Sequence, residues 1–409
     1  MTPGAPSTPN WSFRADEAAR SVTRLFGQRL YCLPNTHIAA VERPSGWFQG
    51  LRGPWHYWWQ AHYLDCLVDA TRREQGSEGQ PGFDGGNRPS AGNLATRLLA
   101  GIRLRNFRSV VNDYYDDMAW LALSTLRLEK LAEDTGMTTV RERTSAALKA
   151  LAPQLDSACT DDLGGGTFWN ATRNFKNTAA TAPTALYFAR TGRAARAQAL
   201  VDWLNDRLLG PEQGLYRDGL RITGSGKAAL ESTIYTYNQG PVLGALLQLG
   251  GTANLERAAA LVLSVARNLT LPAPLTGRTA TVLRCEGTGD GGLFTGILIR
   301  YLSLAAVDER LPAGSRATAA MLVNDTAEAF WEGRRIVQAQ EPLARRGARL
   351  VFSARPEVPA RSSYPVGAAV ELSTQLQAWM ILEAAASIAE IAGSAEAGTP
   401  PQAKDTTEN

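Results

Sequence analysis

The chain has 409 residues, with 42 basic and 39 acidic side chains that leave a formal net charge of +3. So small and dispersed a charge is not typical of a nucleic-acid-binding protein, and we exclude nucleic acid as a partner. Residues 1–30 carry several charges, and no long uninterrupted apolar run follows, so the sequence predicts neither a signal peptide nor a membrane span. We therefore expect a cytoplasmic protein, or an extracytoplasmic one if a leader has been removed.

Apolar residues at intervals of three and four predict twelve helices, joined by connections rich in glycine and proline. The predicted helices span residues 15–28, 55–72, 92–103, 115–134, 138–154, 176–191, 193–208, 239–249, 253–268, 292–307, 312–331 and 368–392. Two short extended segments are also predicted, 214–222 with a turn at Asp218–Gly219, and 348–354. Residues 1–10 and 393–409 have the composition of disordered ends, which leaves 11–392 as a single domain.

The helix starts recur at a regular interval along the chain. Every second predicted helix begins about 60 residues after the one before, which is the behaviour of a repeat architecture. These starts lie near residues 55, 115, 176, 239, 292 and 368. Six helical hairpins can close into a ring, so we predict an all-α fold, an (α/α)6 barrel with an inner and an outer layer of helices. The inner helices would run parallel, and their N-terminal ends would share one rim.

The most unusual residues lie at or just before those helix starts. They occur in PWHYWWQAHY at 54–63, NDYYDDMAW at 112–120, GTFWNATRNFKN at 166–177, YTYNQG at 235–240 and GTGDGGLFTG at 287–296. Aromatic, amide and acidic side chains would therefore converge on one concave face of the ring. Such a face is the usual form of a ligand-binding site.

Asp116 and Asp117 stand side by side at the start of a predicted helix. A retaining glycosidase needs two carboxyl groups roughly 5–5.5 Å apart, and consecutive residues at a helix start can meet that spacing. The helix N-terminus favours an ionised carboxylate, and its charge raises the pKa of the neighbouring carboxyl, which separates a nucleophile from an acid. The alternative is structural: Asn112 or Asp113 caps the helix, and the two acids merely stabilise its first turn.

Four of these blocks together resemble the motifs of a known enzyme family. YYDDMAWLAL at 114–123, GGGTFWNATRNFKN at 164–177, YTYNQG at 235–240 and GDGGLFTGILIRYL at 289–302 are similar to the ordered motifs of glycoside hydrolase family 76, the endo-acting α-1,6-mannanases. The similarity in order and spacing extends from about residue 15 to 390. It implies an (α/α)6 barrel and a retaining mechanism in which Asp116 is the nucleophile and Asp117 the acid/base.

One position departs from the family pattern. A basic residue is expected after Phe294, and this chain has Thr295. The departure puts a secondary substrate contact in doubt and leaves the carboxylate chemistry unaffected.

The remaining rim residues are predicted to bind the substrate. Sugar rings have apolar faces that stack on aromatic side chains, and hydroxyls that need amide or carboxylate partners. The predicted substrate-binding residues are Trp58, Tyr115, Trp169, Asn170, Asn174, Lys176, Asn177, Tyr237, Asn238, Gln239, Asp290 and Phe294.

Several of these residues also have structural interpretations. The segment 237–239 could cap a helix around a buried tyrosine, the pair Lys176 and Asn177 could tie down a loop, and Asp290 could cap the helix from 292. One continuous helical face, more typical of a core than of a cleft, is formed by Trp55, Trp58, Trp59, His62, Tyr63 and Cys66.

Metal and cofactor chemistry is not indicated. The only histidines are His37, His56 and His62, there is no HExxH motif, and the four cysteines form no CxxC spacing. We therefore predict no cofactor and no metal site.

The predicted function, which the family resemblance implies, is hydrolysis of internal α-1,6-mannosidic linkages in a mannan-type polysaccharide by a monomeric enzyme. A mannan transglycosylase of the same family remains an alternative, and it differs only in whether water or a second glycan accepts the intermediate. A third possible function is that of a non-catalytic glycan-binding barrel or of a sugar epimerase on the same scaffold. Adjacent carboxylates argue against a pure binding protein, and the scarcity of histidines argues against an epimerase.

Overall fold

The computed structural model describes residues 9–44, 53–76, 90–224, 227–347 and 349–397. Within these ranges the chain forms thirteen α-helices. They are α1 (Trp11–Phe26), α2 (Tyr57–Gly76), α3 (Ala91–Arg105), α4 (Tyr115–Asp134), α5 (Thr138–Ala158), α6 (Thr178–Arg190), α7 (Ala194–Arg207), α8 (Thr236–Leu249), α9 (Thr252–Asn268), α10 (Gly291–Val307), α11 (Ala313–Glu332), α12 (Ala360–Ser363) and α13 (Leu372–Ala397). All twelve predicted helices are present; 115–134 has the predicted ends, the others have shifted ends, and only the single-turn α12 was not predicted.

The helices build a double-layered ring. Neighbours pack in the order α2, α4, α6, α8, α10 and α13, and α13 returns against α2 to close the inner layer. The outer layer covers the inner helices α2, α4, α6, α8 and α10 with α3, α5, α7, α9 and α11, in that order. The last inner helix, α13, is covered by α1, so one helical hairpin is formed from the two ends of the chain. The fold is the predicted all-α (α/α)6 barrel.

The sequences of the helices match their layers. The inner helices are buried on most sides because both of their faces are covered, and residues 378–382 of α13 are all buried. Outer helix α1 instead buries one stripe, with Ala15, Ala18, Val22 and Leu25 spaced by three or four residues. Helices α8 and α10 approach closely at Gly244, where a Cβ atom would lie 2.6 Å from the Tyr301 ring.

Short β-strands connect the helices. They are β1 (Gly27–Gln28), β2 (Ile38–Ala39), β3 (Glu42–Arg43), β4 (Phe175–Asn177), β5 (Leu209–Gly210), β6 (Leu215–Tyr216), β7 (Gly219–Ile222), β8 (Ala228–Glu231), β9 (Thr270–Leu275), β10 (Arg278–Leu283), β11 (Arg335–Ile336), β12 (Leu350–Val351) and β13 (Val370–Glu371). The antiparallel pairs are β1 with β2, β3 with β13, β5 with β6, β9 with β10, and β11 with β12, and β7 lies between β4 and β8.

Both predicted extended segments contain strand residues in the structure, but the first does not fold back on itself. Strand β6 pairs with β5, whereas β7 pairs with β4 and β8, so the predicted turn at Asp218–Gly219 does not join two paired strands. Strand β12 forms within the second segment. The β9–β10 hairpin was not predicted.

The two chain ends are described only in part. Asn10 accepts a hydrogen bond from the Phe13 amide at 3.0 Å and thereby caps α1. Helix α13 continues to Ala397, beyond the predicted domain end at 392. The rest of the ends predicted to be disordered, 1–8 and 398–409, lies outside the described residues. None of the helices described here is long and apolar enough to cross a membrane.

The C-terminal ends of the inner helices surround a polar cavity of about 770 Å³. An ionic network crosses it: Arg127 donates to Asp65 at 2.6 Å and to Asp69, and Arg300 donates to Asp69 at 2.6 Å. Helices α2, α4 and α10 are joined by these bonds. Burial of each charge is offset by opposite charges, which is the condition for keeping such groups inside a protein.

Candidate active site

The N-terminal ends of the inner helices meet at the opposite end of the barrel. Phe294 of α10 stacks on Tyr237 of α8, with 4.0 Å between the ring centroids, and lies 6.3 Å from Trp58 of α2. These three aromatic side chains are only half-buried. They form a partly exposed aromatic face on the predicted common rim, and we take this face as the candidate substrate cleft.

Asp116 and Asp117 lie in the first turn of α4 on this rim, and both are half-buried. Asp116 Oδ1 accepts a hydrogen bond from the Asp117 backbone amide, and Asp116 Oδ2 accepts one from Trp169 Nε1, both at 2.9 Å. Asp117 Oδ2 accepts a hydrogen bond from Asn112 Nδ2 at 2.7 Å. The two carboxylates therefore have different partners although they are adjacent.

The capping alternative for this stretch is not supported. The residue that precedes α4 is Tyr114, and no side chain caps the helix there. The Asn112 side-chain oxygen accepts a hydrogen bond from the Tyr114 amide at 3.0 Å, two residues on, within the loop.

The surroundings of the two aspartates raise both pKa values, and different groups oppose the rise at each. Burial raises the pKa of Asp116 to about 7, although the hydrogen bonds from Trp169 and from backbone amides oppose the rise. Burial and the charge of Asp116 raise the pKa of Asp117 well above its ordinary value, with only the Asn112 hydrogen bond opposing. Asp116 is thus the more readily ionised of the pair, and Asp117 the better proton carrier.

A third carboxylate, Asp290, lies close to the pair. Its side chain is 58% exposed, and its Oδ1 accepts a hydrogen bond from Trp59 Nε1 at 2.9 Å. Its negative charge contributes to the raised pKa of both Asp116 and Asp117. It does not cap α10 through its side chain, so the capping alternative is not supported for Asp290 either.

The loop before α6 brings further polar groups to the rim. Trp169 is half-buried and packs edge-on against Tyr114, with 5.2 Å between ring centroids. Asn170 is half-buried and Asn174 is exposed. The Asn170 side-chain oxygen accepts hydrogen bonds from the backbone amide and the hydroxyl of Thr172. Among the described residues neither side-chain nitrogen donates a hydrogen bond, so both amides can donate to a ligand.

Five of the residues predicted to bind substrate are buried instead. They are Tyr115, Lys176, Asn177, Asn238 and Gln239. Asn177 caps α6 by accepting from the Ala180 amide at 3.0 Å, and Gln239 bonds both backbone groups of Tyr216, at 2.8 and 2.9 Å. Asn177 and Gln239 thus use their side-chain amides inside the protein, whereas the buried Asn238 side-chain oxygen has no hydrogen-bond partner among the described residues. None of residues 237–239 caps α8 through its side chain, so the capping interpretation of this segment is not supported.

Lys176 is the clearest of these corrections. Its ammonium group donates to the Thr160 carbonyl and hydroxyl and to the Gly165 carbonyl, at 2.7–2.9 Å, and it lies 4.6 Å from the centre of the Phe168 ring. Burial lowers its pKa to about 8. Lys176 therefore ties the loop down, as the alternative interpretation had it.

The aromatic stripe of α2 is divided between core and cleft. Trp59, His62, Tyr63 and Cys66 are buried, as the core interpretation predicted, whereas Trp58 is half-buried against Phe294. Only the first turn of the helix reaches the rim.

Sequence reasoning missed Glu286, which helps to build the rim. Glu286 accepts hydrogen bonds from the Thr236 amide and hydroxyl at 3.1 and 2.8 Å, and so fixes the start of α8. Thr295, the departure from the family pattern, is fully buried and donates to the Arg284 carbonyl at 2.7 Å. It lies against Glu286 and does not face the cleft. The only sequence signal for Glu286 was its position beside the glycine-rich block at 287–292.

A ring of helical hairpins with an acidic pair beside aromatic side chains is an arrangement that suits a glycoside hydrolase of the (α/α)6 class. The chain belongs to glycosyl hydrolase family 76, whose sequence model matches residues 36–341.

Solved structures of this family resemble the chain over nearly its whole length. An α-1,6-mannanase from Salegentibacter sp. HEL1_6 is 28% identical, with a TM-score of 0.73 and coverage of 93% of this chain and 100% of that one. An inactive variant of that mannanase, with two consecutive aspartates replaced by asparagine, was solved with α-1,6-mannotriose; it is 27% identical, with the same coverage and TM-score. A family 76 mannosidase from Bacteroides thetaiotaomicron has the same fold at 18% identity, with a TM-score of 0.71 and coverage of 94% and 100%. No match was found among curated protein sequences.

Proposed function

We propose that this glycoside hydrolase is a retaining endo-α-1,6-mannanase in which Asp116 is the nucleophile and Asp117 the acid/base. The observation that carries the proposal is the unequal environment of two adjacent carboxylates on one rim. Asp116 accepts hydrogen bonds from an indole and a backbone amide, whereas Asp117 accepts one from Asn112. A retaining glycosidase needs this inequality, because one carboxyl must be ionised while the other carries a proton.

The proposed reaction has two steps. In the first, ionised Asp116 attacks the anomeric carbon of a bound mannose, while Asp117 gives its proton to the departing glycosidic oxygen. The bond from carbon to that oxygen breaks, and a mannosyl ester forms on Asp116. In the second step, Asp117 is a carboxylate and takes a proton from water, whose oxygen displaces Asp116 from the same carbon.

Similarity to the mannanase supports the choice of this pair. The chain contains two Asp-Asp sequences, Asp116–Asp117 and Asp161–Asp162. The second is exposed on the loop before α6 and is not in the first turn of an inner helix. Since the inactive Salegentibacter variant lacks two consecutive aspartates, the cleft pair is the candidate equivalent here.

The cleft suits a polymer. Half-buried aromatic residues project from three inner helices and from the loop before α6, so several consecutive sugars can stack in line. We assign the sugar-stacking role to Trp58, Trp169, Tyr237 and Phe294, and hydroxyl binding to Asn170, Asn174 and Asp290. A cleft of this kind would favour cutting within a chain. The α-1,6 linkage is inferred from the mannanase relative.

The test is digestion of linear and branched α-1,6-mannan, followed by sizing of the products over time. We expect a ladder of manno-oligosaccharides from the earliest samples. Mannose alone from the start would contradict the endo assignment. Products longer than a defined oligosaccharide substrate would identify the transglycosylase alternative, and no change in either polymer would contradict the proposed function.

A further inference from the structure

Asn112 has an oriented contact with one member of the acidic pair. Its side-chain nitrogen donates to Asp117 Oδ2 at 2.7 Å, and its side-chain oxygen accepts from the Tyr114 amide at 3.0 Å. A backbone N–H can only donate, so the second bond fixes which end of the amide faces Asp117. In the described part of the chain, no other group donates a hydrogen bond to the Asp117 carboxyl.

We propose that Asn112 is a positioning residue that occupies Asp117 Oδ2, so that the proton exchanged with the substrate is carried on Oδ1. The inference rests on the proposed function, since it assigns Asn112 to the acid/base of that reaction. An oxygen that accepts from an N–H cannot also direct its own proton along the same line. Oδ2 of the carboxyl thereby stays bound to the protein, while Oδ1 exchanges its proton with the glycosidic oxygen in the first step and with water in the second.

The hydrogen bond from Asn112 lowers the pKa of Asp117, whereas burial and the nearby carboxylates raise it. Charged and titratable groups that face Asp117 are Asp116 on its own helix, Asp290 before α10, and Tyr57 on α2. The two carboxylates and burial all favour the protonated form of Asp117, whereas a donated N–H favours the carboxylate. Without Asn112, the acid step would persist to higher pH, and the second step, which needs ionised Asp117, would begin only at higher pH.

The experiment compares pH profiles of the wild-type enzyme with those of Asn112→Ala and Asn112→Asp. The aspartate variant has the same shape and keeps an acceptor for the Tyr114 amide, so it should fold even if the alanine variant does not. The matched control is Asn106→Ala, because Asn106 donates to the carbonyls of Ser109 and Val111 in the same loop, at 3.2 and 2.9 Å, without touching Asp117.

We expect the descending limb of kcat/KM on α-1,6-mannan to move up by about one pH unit in Asn112→Ala, and further in Asn112→Asp. On an activated aryl mannoside, the ascending limb of kcat should move in the same direction, because hydrolysis of the intermediate requires ionised Asp117. The profile of Asn106→Ala should coincide with that of the wild type.

Two kinds of failure are distinguishable. A wild-type protein without turnover of α-1,6-mannan would refute the proposed function itself. An active wild type whose descending limb stays in place in the folded Asn112 variants would overturn the role of Asn112. An equal shift in Asn106→Ala would also overturn it, because the effect would then come from the loop and not from the hydrogen bond.

Discussion

Two adjacent carboxylates repel each other, and at the start of α4 their different environments allow this repulsion to keep one of them protonated. Asp116 receives two N–H donors, which favour its ionised form, and its charge then holds a proton on Asp117. The pair titrates as a unit, so its two apparent pKa values belong to both residues together. At the residue scale, the proposed chemistry thus depends on the inequality of the two environments and not only on the presence of two carboxyl groups.

Replacing each aspartate should therefore have a different consequence. Asp116→Ala should abolish turnover of every substrate, because no mannosyl-enzyme can form. Asp117→Ala should lose about 10²–10⁴-fold on mannan, yet keep the first step with an aryl α-1,6-mannobioside whose leaving group needs no proton. Azide should then accelerate release of the intermediate. The measurement is the initial rate of both variants on both substrates, with circular dichroism to verify folding.

Two other results would change this assignment. Wild-type rates in both folded variants would mean that the pair is structural. A reversed asymmetry would exchange the two roles and keep the mechanism.

At the element scale, the loop from Cys159 to Asn177 delivers one of the donors to Asp116. Trp169 is held by backbone hydrogen bonds to Phe175 and Tyr115, both at 2.8 Å, which aim its indole N–H at the carboxylate. Lys176 fastens the same loop from inside through Thr160 and Gly165. The loop therefore acts as a rigid support for the site.

Lys176→Met should destabilise the protein by about 3 kcal/mol, because it removes a charged donor and leaves buried carbonyls without a partner. Arg173→Met is the matched control: Arg173 is an exposed cation of the same loop, and we expect its replacement to cost less than about 1 kcal/mol. Urea unfolding measures both changes. Wild-type stability of Lys176→Met combined with weakened mannan binding would instead restore a substrate contact for Lys176.

The helices could be predicted from the sequence because each repeats its apolar residues at helical spacing over several turns. The β9–β10 hairpin could not, since exposed Pro272 and Pro274 interrupt the strand pattern of β9. Its alternating buried residues Ala273 and Ala280 pack on Ala329 of α11, a contact that exists only after the ring has formed. The pairing of β6 and β7 was also predicted wrongly, because each pairs with a different neighbouring strand, β6 with β5 and β7 with β8 and the distant β4.

At the scale of the whole molecule, the period of the helix starts predicted both the ring and a common rim. It could not predict which rim side chains face the cleft, because that depends on how far each inner helix is rotated about its axis. Tyr237 faces the cleft while the next two residues, Asn238 and Gln239, are fully buried. In the same way, Phe294 faces the cleft and the next residue, Thr295, is buried. The acidic pair was easier to predict, since either orientation of the first turn leaves a carboxylate near the rim.

The central claim is that this barrel cleaves α-1,6-mannan by double displacement at the Asp116–Asp117 pair. The most direct measurement is proton NMR of the anomeric signals during the first minutes of digestion of linear α-1,6-mannan, before mutarotation mixes the anomers. Two successive displacements at the same carbon retain its configuration, so the new reducing ends should appear first as the α-anomer, and none should appear with Asp116→Ala. New reducing ends that appear first as the β-anomer would show a single displacement and would contradict the account.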